Sequence, residues 1–228
     1  MSLLSWLTNT SPSKSLKSKE FVAECKRNPS AASQVDPSTG NLPLHFACCA
    51  AAPATVVTAL IKAYPDGARA RDGDGNLPIM GAVANGCVLD AIGALLAAHP
   101  DGAQALDAEQ HTPLHSAACN GQSLDVVEAL LKAFPAGAAA VDAEGNTPLH
   151  FAAACRASPA VVRALIAAHP EAAKLRGKMG RLPLSLALLC EAPPAAIEAI
   201  VEAFPAAVRD PCVTADYRNH GHGVPRDM

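Results

Sequence analysis

The stretch Thr112-Pro113-Leu114-His115-Ser116-Ala117-Ala118 returns 35 residues later as Thr147-Pro148-Leu149-His150-Phe151-Ala152-Ala153. Prolines continue this spacing in both directions, in two phases. The first phase is Pro43, Pro78, Pro113, Pro148 and Pro183, and the second is Pro65, Pro100, Pro135, Pro170 and Pro205. A fixed period in this range, marked by residues that start and stop helices, predicts a stack of small units and not a globule around one core.

Two groups of apolar residues repeat in register with these prolines. In the first half of each unit, an aliphatic residue follows the proline and an alanine comes three residues later, which places both on one face of a helix. These residues are Leu44, Ile79, Leu114, Leu149 and Leu184, with Ala47, Ala82, Ala117, Ala152 and Ala187. In the second half, three positions have the i, i+3, i+4 spacing of an amphipathic helix. They are Val57, Ile92, Val127, Val162 and Ile197; Leu60, Leu95, Leu130, Leu165 and Ile200; and Ile61, Leu96, Leu131, Ile166 and Val201.

The prolines mark where each helix begins and ends. The first proline suits the first helical position, because its φ is already helical and its missing N–H would have no partner there. Thr112 and Thr147 precede it and can cap the helix. The second proline disfavours helical geometry in the residue before it, so the second helix should end near Tyr64, His99, Phe134, His169 and Phe204. Each unit is therefore predicted to be helix, turn, helix and long loop.

Taken together, these residues resemble the ankyrin repeat family. The two quoted stretches are similar to that family's T-P-L-H-x-A-A motif, and the run from Asp142 through Gly145 to Thr147-Pro148 is similar to its hairpin entrance. The period exceeds the family's usual 33 or so residues. Other departures are Leu42, Leu77 and Leu182 in place of Thr, Met80 and Ser185 in place of His, and Gly177 in place of the loop Asp.

The resemblance implies an all-α, ankyrin-type helix-turn-helix solenoid with projecting loops or hairpins, made of about five repeats after an N-terminal capping half repeat. We expect a flexible leader at 1–17, a solenoid at 18–210 and a flexible tail at 211–228. The predicted half repeat is 18–41, and the predicted repeats are 42–76, 77–111, 112–146, 147–181 and 182–210. Two readings of Met1 to Leu7 with Trp6 stay open: it docks a partner, or it folds back over the first repeat.

Charge and hydropathy exclude several classes of function. The net charge is −3, but residues 31–210 contain seventeen acidic and eleven basic side chains, so the solenoid itself is acidic. Nucleic-acid binding depends on clustered positive charge, and we expect none. The longest uncharged apolar run, Phe46 to Ile61, is too short for a membrane span and contains Pro53. We predict a cytoplasmic protein, with the nucleus as an alternative, that is monomeric alone.

The eight cysteines are predicted to be free thiols in a reducing compartment. Cys155 and Cys190 occupy the same place in adjacent repeats. Stacked helices lie about 8–10 Å apart, whereas a disulfide needs Cα atoms within about 7 Å.

No residue set predicts catalysis, a cofactor or a bound metal. His45 with Cys49, and His115 with Cys119, have the i, i+4 spacing of a catalytic dyad, but no third group orients them. The acidic run from Asp72 to Asn76 begins like a calcium loop but lacks its sharp-turn glycine and its bidentate glutamate, so we interpret it as a turn. In the tail, Cys212, His220 and His222 fit no zinc spacing. We therefore predict a protein that is not an enzyme.

The family resemblance implies that a partner protein binds the hairpin tips and the exposed side of the first helices, which form a concave face. The matching tip positions are Thr39, Asn41, Asp74, Asn76, Glu109, His111, Glu144, Asn146, Lys178 and Arg181, and the matching helix positions are Asn85, Asn120, Cys155 and Cys190. Asp74, Glu109 and Glu144 occupy equivalent places and predict an acidic row, after which Lys178 and Arg181 reverse the sign.

Three functional hypotheses follow. The first is a non-catalytic scaffold or adaptor that binds another protein, with a basic segment against the acidic row and an acidic group near Lys178 and Arg181. The second is a metal- or redox-responsive protein that uses its thiols and histidines. The third is a regulatory subunit of an enzyme on another chain, which the sequence does not separate from the first.

Overall fold

The computed structural model describes residues 14–214, and these contain eleven α-helices of seven residues or more, a further helical segment at 211–214, seven 3-10 helices and no strand. The α-helices are α1 (Lys14–Arg27), α2 (Pro43–Cys49), α3 (Ala54–Ala63), α4 (Pro78–Ala84), α5 (Leu89–Ala98), α6 (Pro113–Cys119), α7 (Leu124–Ala133), α8 (Pro148–Ala154), α9 (Pro159–Ala168), α10 (Pro183–Leu189) and α11 (Pro194–Ala203). No helix in this part of the chain is long and apolar enough to cross a membrane. The apolar leader with Trp6, and His220 and His222, lie outside the described residues.

The predicted helix boundaries are confirmed at both prolines. Each first helix (α2, α4, α6, α8, α10) begins with its proline after an extended residue. Each second helix (α3, α5, α7, α9, α11) ends just before the predicted aromatic residue or histidine, whose φ and ψ are no longer helical. Thr112 and Thr147 occupy the N-cap positions of α6 and α8, as predicted. The third helical residue, His115 or His150, accepts a hydrogen bond from the backbone N–H of the cap residue, and the Thr112 hydroxyl lies 2.9 Å from His115 Nδ1.

The connection after each second helix is more ordered than the predicted long loop. The second proline opens a five-residue 3-10 turn, as in Pro65–Arg69, Pro100–Gln104, Pro135–Ala139, Pro170–Lys174 and Pro205–Arg209. In the first of these, the Gly67 N–H donates to the Tyr64 carbonyl at 3.1 Å. Proline favours this geometry because its φ fits the first position of a helical turn.

The first of two compact units is Met1–Ala108, described from residue 14. Here α1 packs on α3, which packs on α5, while α2 packs on α4. Phe21 and Cys25 of α1 are buried. The helix begins at Lys14, four residues before the expected start of the solenoid.

The second unit is Glu109–Met228, described to residue 214. Its first helices α6, α8 and α10 pack in series, and its second helices α7, α9 and α11 do the same. Two of the three predicted ladders form its core, with Val127, Leu130, Val162, Leu165 and Ile200 at most 2% exposed. The third ladder, Leu131, Ile166 and Val201, is only half-buried. Ile197 is only half-buried, because no further helix pair covers α11 within the described residues. At about 1.5–3 kcal/mol per buried aliphatic side chain, these ladders are the main stabilising contribution.

Candidate partner-binding site

The hairpin tip at 142–146 is held by a buried carboxylate. Asp142 is 7% exposed. Its Oδ1 accepts hydrogen bonds from the backbone N–H groups of Glu144 at 2.8 Å and Asn146 at 2.7 Å, and its Oδ2 accepts one from Asn146 Nδ2 at 2.9 Å. Burial alone would raise the pKa of Asp142, but these hydrogen bonds lower it below its ordinary value. The tip is therefore a rigid support for Glu144, whose side chain is exposed.

The histidines of the repeated motif fasten the hairpins to the first helices. His150 Nδ1 accepts from the Thr147 backbone N–H at 3.1 Å, and its Nε2 lies 3.3 Å from the Arg181 carbonyl oxygen. Because a backbone N–H can only donate, the proton of the neutral ring must lie on Nε2, which donates to that carbonyl. His115 makes the same pair of contacts with Thr112 and, at 3.1 Å, with the Asn146 carbonyl. The tips at 142–146 and 177–181 are thus each tied to the first helix of their own repeat.

The next tip, at 177–181, is built differently because Gly177 stands where the loop aspartate is expected. Asn146 reaches across from the neighbouring tip, and its Oδ1 accepts a hydrogen bond from the Lys178 N–H at 2.9 Å. A Cβ at position 177 would collide with Asn146 Oδ1 and lie 3.0 Å from His150 Nε2. Glycine is therefore required for the tip to close onto Asn146. This closure fixes the backbone of Lys178 and Arg181.

A cavity of about 240 Å³ lies under this tip in the second unit. We call it the unit-2 groove and define it by Phe151 and Ala154 of α8, Leu186 of α10, the Cys119–Cys155 pair, and Lys178 and Arg181 of the tip; Asn146 and His150 also line it. The Phe151 ring meets those of His111 and His115 edge-on, with centroids 5.0 and 5.3 Å apart. The groove thus combines an apolar wall with a basic rim.

The prediction that every cysteine is a free thiol is wrong. Cys119, the last residue of α6, and Cys155, which caps α8, form a disulfide with Cα atoms 5.0 Å apart. The prediction failed because it used a typical axial distance between stacked helices and considered only cysteines in equivalent places. Cys119 and Cys155 are 36 residues apart, so they do not occupy equivalent places, and their Cα atoms lie within the range that a disulfide spans. Cys190 is free, as predicted.

The charged tip residues of the second unit interact with one another. Lys178 Nζ lies 2.6 Å from Glu144 Oε1, and both side chains are exposed. Lys178 therefore partly neutralises the charge of Glu144, which is one of the three residues of the predicted acidic row. Glu109 is exposed, and its backbone carbonyl accepts a hydrogen bond from the Ala143 N–H at 3.1 Å, which sets neighbouring tips side by side.

The other predicted partner residues differ in exposure. In the first unit Thr39, Asp74 and Asn85 are exposed, and Asn41 and Asn76 are half-buried. In the second unit Asn120 and Cys155 are exposed, His111 and Arg181 are half-buried, and Asn146 is 8% exposed and occupied by internal hydrogen bonds. The run from Asp72 is a turn in which Asp72 Oδ1 accepts from the Asp74 and Asn76 N–H groups.

The proposed thiol–histidine pairs are not arranged for catalysis. His45 Nδ1 accepts from the Leu42 N–H and its Nε2 bonds to the Ala70 carbonyl, so both ring nitrogens are in use. Burial raises the pKa of Cys49, which keeps it protonated. Burial also raises the pKa of Cys25 and Cys87 to about 11. Cys119 is in the disulfide, and Cys212 is free and half-buried.

Sequence reasoning missed the apolar wall of the groove. Phe151 and Leu186 belong to a series that follows the motif histidine, namely Phe46, Gly81, Ser116, Phe151 and Leu186. The proline, the aliphatic residue after it and the alanine three residues later recur in every first helix, whereas this position ranges from glycine to phenylalanine, and that change in size was the available signal. Large residues at two successive places create the wall.

Comparison with known proteins agrees with this geometry. No curated protein matches the chain. The family described as ankyrin repeats (three copies) matches residues 44–138 and 79–176, which together span more than half of the chain. Because this match covers more than half of its length, the chain belongs to the ankyrin repeat family.

Proposed function

We propose that this protein is a scaffold or adaptor that holds a segment of another protein against its hairpin tips and the exposed faces of its first helices. Ankyrin repeats are generally modules for protein–protein interaction. One observation supports this surface above the others: four of the predicted partner residues, Asn146, Cys155, Lys178 and Arg181, line one apolar-walled groove. Binding sites are typically concave and apolar, with a few polar groups that fix orientation.

The exposed acids at the other tips suggest a basic segment in the same partner. Asp74 in the first unit and Glu109 and Glu144 in the second are exposed. Replacing Asp74, Glu109 and Glu144 together by Ala should weaken capture of a basic partner while the melting temperature stays within a few degrees. Unchanged capture by this folded variant would leave the basic-segment part of the proposal without support.

Site-specific photo-crosslinking tests the proposed surface directly. A photoreactive amino acid is placed at Asn120 or Glu144, and, as matched controls, at Glu128 of α7 or Glu198 of α11, which are exposed on second helices. In extracts of the source cells, we expect protein adducts from Asn120 and Glu144 but not from Glu128 and Glu198. Mass spectrometry of the adducts identifies the partner and its contact site. Equal yields from all four positions, or adducts only from the controls, would contradict the proposal.

A redox-responsive protein is the second candidate function, and the Cys119–Cys155 disulfide favours it. The bond joins the first helices of two successive repeats and lines the unit-2 groove. Its reduction takes two electrons and two protons and gives two thiols. A small dithiol reductant supplies the electrons and protons as it is oxidised to its own disulfide.

Thiol titration in denaturant separates the two states. Of the eight cysteines, two are in the disulfide and six are free, so we expect six reactive thiols before reduction and eight after it. The Cys119→Ser/Cys155→Ser variant should give six under both conditions. A redox role further requires that partner capture differ between oxidised and reduced protein. The same capture in both states would reject it and leave the scaffold function intact.

A further inference from the structure

We propose that the unit-2 groove binds a linear segment in which an apolar side chain lies next to a carboxylate. This inference rests on the proposed function, because it names the chemistry of the partner at that surface. The occupant is a partner segment with a Leu-like side chain that enters the groove and an Asp or Glu that meets the rim.

The apolar half of this occupant follows from the wall of the groove. Phe151, Ala154, Leu186 and the Cys119–Cys155 disulfide present carbon and sulfur atoms to a cavity of about 240 Å³. Phe151 is held in place by edge-on contacts with His111 and His115. An apolar side chain gains free energy when it leaves water for such a wall. A wholly charged segment would leave the wall uncovered.

The acidic half follows from charge complementarity. Lys178 and Arg181 line the groove, and no Asp or Glu does. Glu144 pairs with Lys178 from outside the lining, but both side chains are exposed, and such pairs are weak because water and salt screen them. The Lys178 ammonium has three donors and can bind a second carboxylate, while a guanidinium binds carboxylates through two parallel hydrogen bonds.

The rim is fixed before the partner arrives. The Lys178 N–H donates to Asn146 Oδ1, and the Arg181 carbonyl accepts from His150 Nε2. The Asn146 and His150 side chains are both buried. Gly177 permits this closure because it has no Cβ. A rim whose backbone is already ordered loses less conformational entropy on binding, which favours affinity for a small segment. This tip is also where an acidic residue of the usual loop is absent, so the change to glycine both closes the rim and removes a negative charge from it.

Two synthetic peptide pools test the inference with the full chain. Both contain a fixed Leu followed by one variable charged residue in an uncharged random background; one pool carries Asp or Glu there and the other Lys or Arg. We expect retention of the acidic pool to exceed that of the basic pool about tenfold, with the preference falling as salt is raised. Lys178→Gln/Arg181→Gln should abolish the preference, whereas Lys132→Gln/Lys174→Gln, which removes two exposed charges outside the groove, should preserve it. Melting curves check that each variant is folded.

The outcomes separate the inference from the proposed function. Retention of the basic pool, equal retention of both pools, retention of neither, or an acidic preference that survives Lys178→Gln/Arg181→Gln would each overturn the inference. Leu186→Asp provides the second readout, since it places a negative charge in the apolar wall and should abolish retention of the acidic pool. The proposed function is tested separately, and it falls if photo-crosslinking shows no preference for Asn120 and Glu144 over Glu128 and Glu198. Adducts at those positions without acidic-peptide binding would keep the function and reject this chemistry.

Discussion

Two neighbouring hairpin tips of the second unit are closed by equivalent backbone hydrogen bonds but are supported by different side chains. In the tip at 142–146, a buried carboxylate within the hairpin binds its backbone N–H groups. In the tip at 177–181, glycine replaces that carboxylate, and Asn146 of the neighbouring tip supplies the acceptor. Both tips close with a backbone hydrogen bond of 2.9 Å, from Asp142 to Asn146 in one and from Gly177 to Arg181 in the other. The carboxylate that supports a tip can therefore be replaced by an amide side chain from the neighbouring tip. Without that carboxylate, the tip at 177–181 carries the basic residues Lys178 and Arg181 and no acidic one.

The largest effect on stability is expected when the tip at 142–146 loses the Asp142 carboxylate. Asp142→Ala leaves the Glu144 and Asn146 N–H groups without an acceptor, and releases Asn146, which supports the second tip. We expect the free energy of unfolding to fall by about 3 kcal/mol, as for loss of several hydrogen bonds to a buried charge. Urea denaturation measures this. Asp142→Asn keeps one acceptor oxygen and should cost clearly less, so an equal loss in both variants would contradict this account of the tip.

Gly177→Ala tests whether the tip at 177–181 depends on its close approach to Asn146 of the neighbouring tip. The added Cβ would collide with Asn146 Oδ1 and press on the His150 ring, both of which are buried and held by hydrogen bonds. We expect destabilisation of about 2 kcal/mol, as for overpacking in a well-packed region.

Gly93→Ala in α5 is the matched control, because nothing lies within 4 Å of its added Cβ. Alanine there should stabilise the protein by about 0.5–1 kcal/mol, since it lowers the conformational entropy of the unfolded chain in a helix. If both substitutions shift the urea midpoint in the same direction, the close approach at Gly177 is not what restricts that position.

The comparison also shows what the sequence could and could not predict. The buried ladders and the helix ends followed from proline phase and apolar spacing, because these depend on one repeat at a time. Asn146 was predicted to lie on the partner surface, yet its side chain is hydrogen-bonded to Asp142 and to the backbone of Lys178. That role depends on two repeats at once, and only the loss of the aspartate at 177 signalled it. The Cys119–Cys155 disulfide was missed for the same kind of reason, since the separation of two first helices depends on side chains from both.

An intermediate effect is expected from acid, through the histidines that fasten the tips. Burial lowers the pKa of His150, and that of His45 in the first unit, below the ordinary value of 6.5. The unfolded chain therefore binds these protons more readily, and the stability that the neutral rings provide is complete above pH 6.5 and is lost as pH falls through the folded-state pKa. Asp142 acts only at lower pH, because its lowered pKa lies below 3.8.

We expect the melting temperature to fall between pH 7 and pH 5, and to fall less steeply in His150→Gln, which has one fewer ring to protonate. The variant should be less stable than the original protein at pH 7.5, because glutamine does not reproduce both hydrogen bonds of the ring. A parallel slope for the two proteins over this pH range would show that His150 does not contribute to the acid sensitivity.

The smallest effect is expected from Lys178→Gln. The Lys178–Glu144 pair is exposed at both ends, so its removal should change the free energy of unfolding by no more than about 0.5 kcal/mol. The backbone N–H of residue 178 still reaches Asn146, and the tip should keep its shape. The charge of Lys178 would then contribute little to folding, although Lys178 lines the groove. A loss of stability as large as that of Gly177→Ala would instead make Lys178 a structural residue, and the difference between the two tips would be a matter of folding alone.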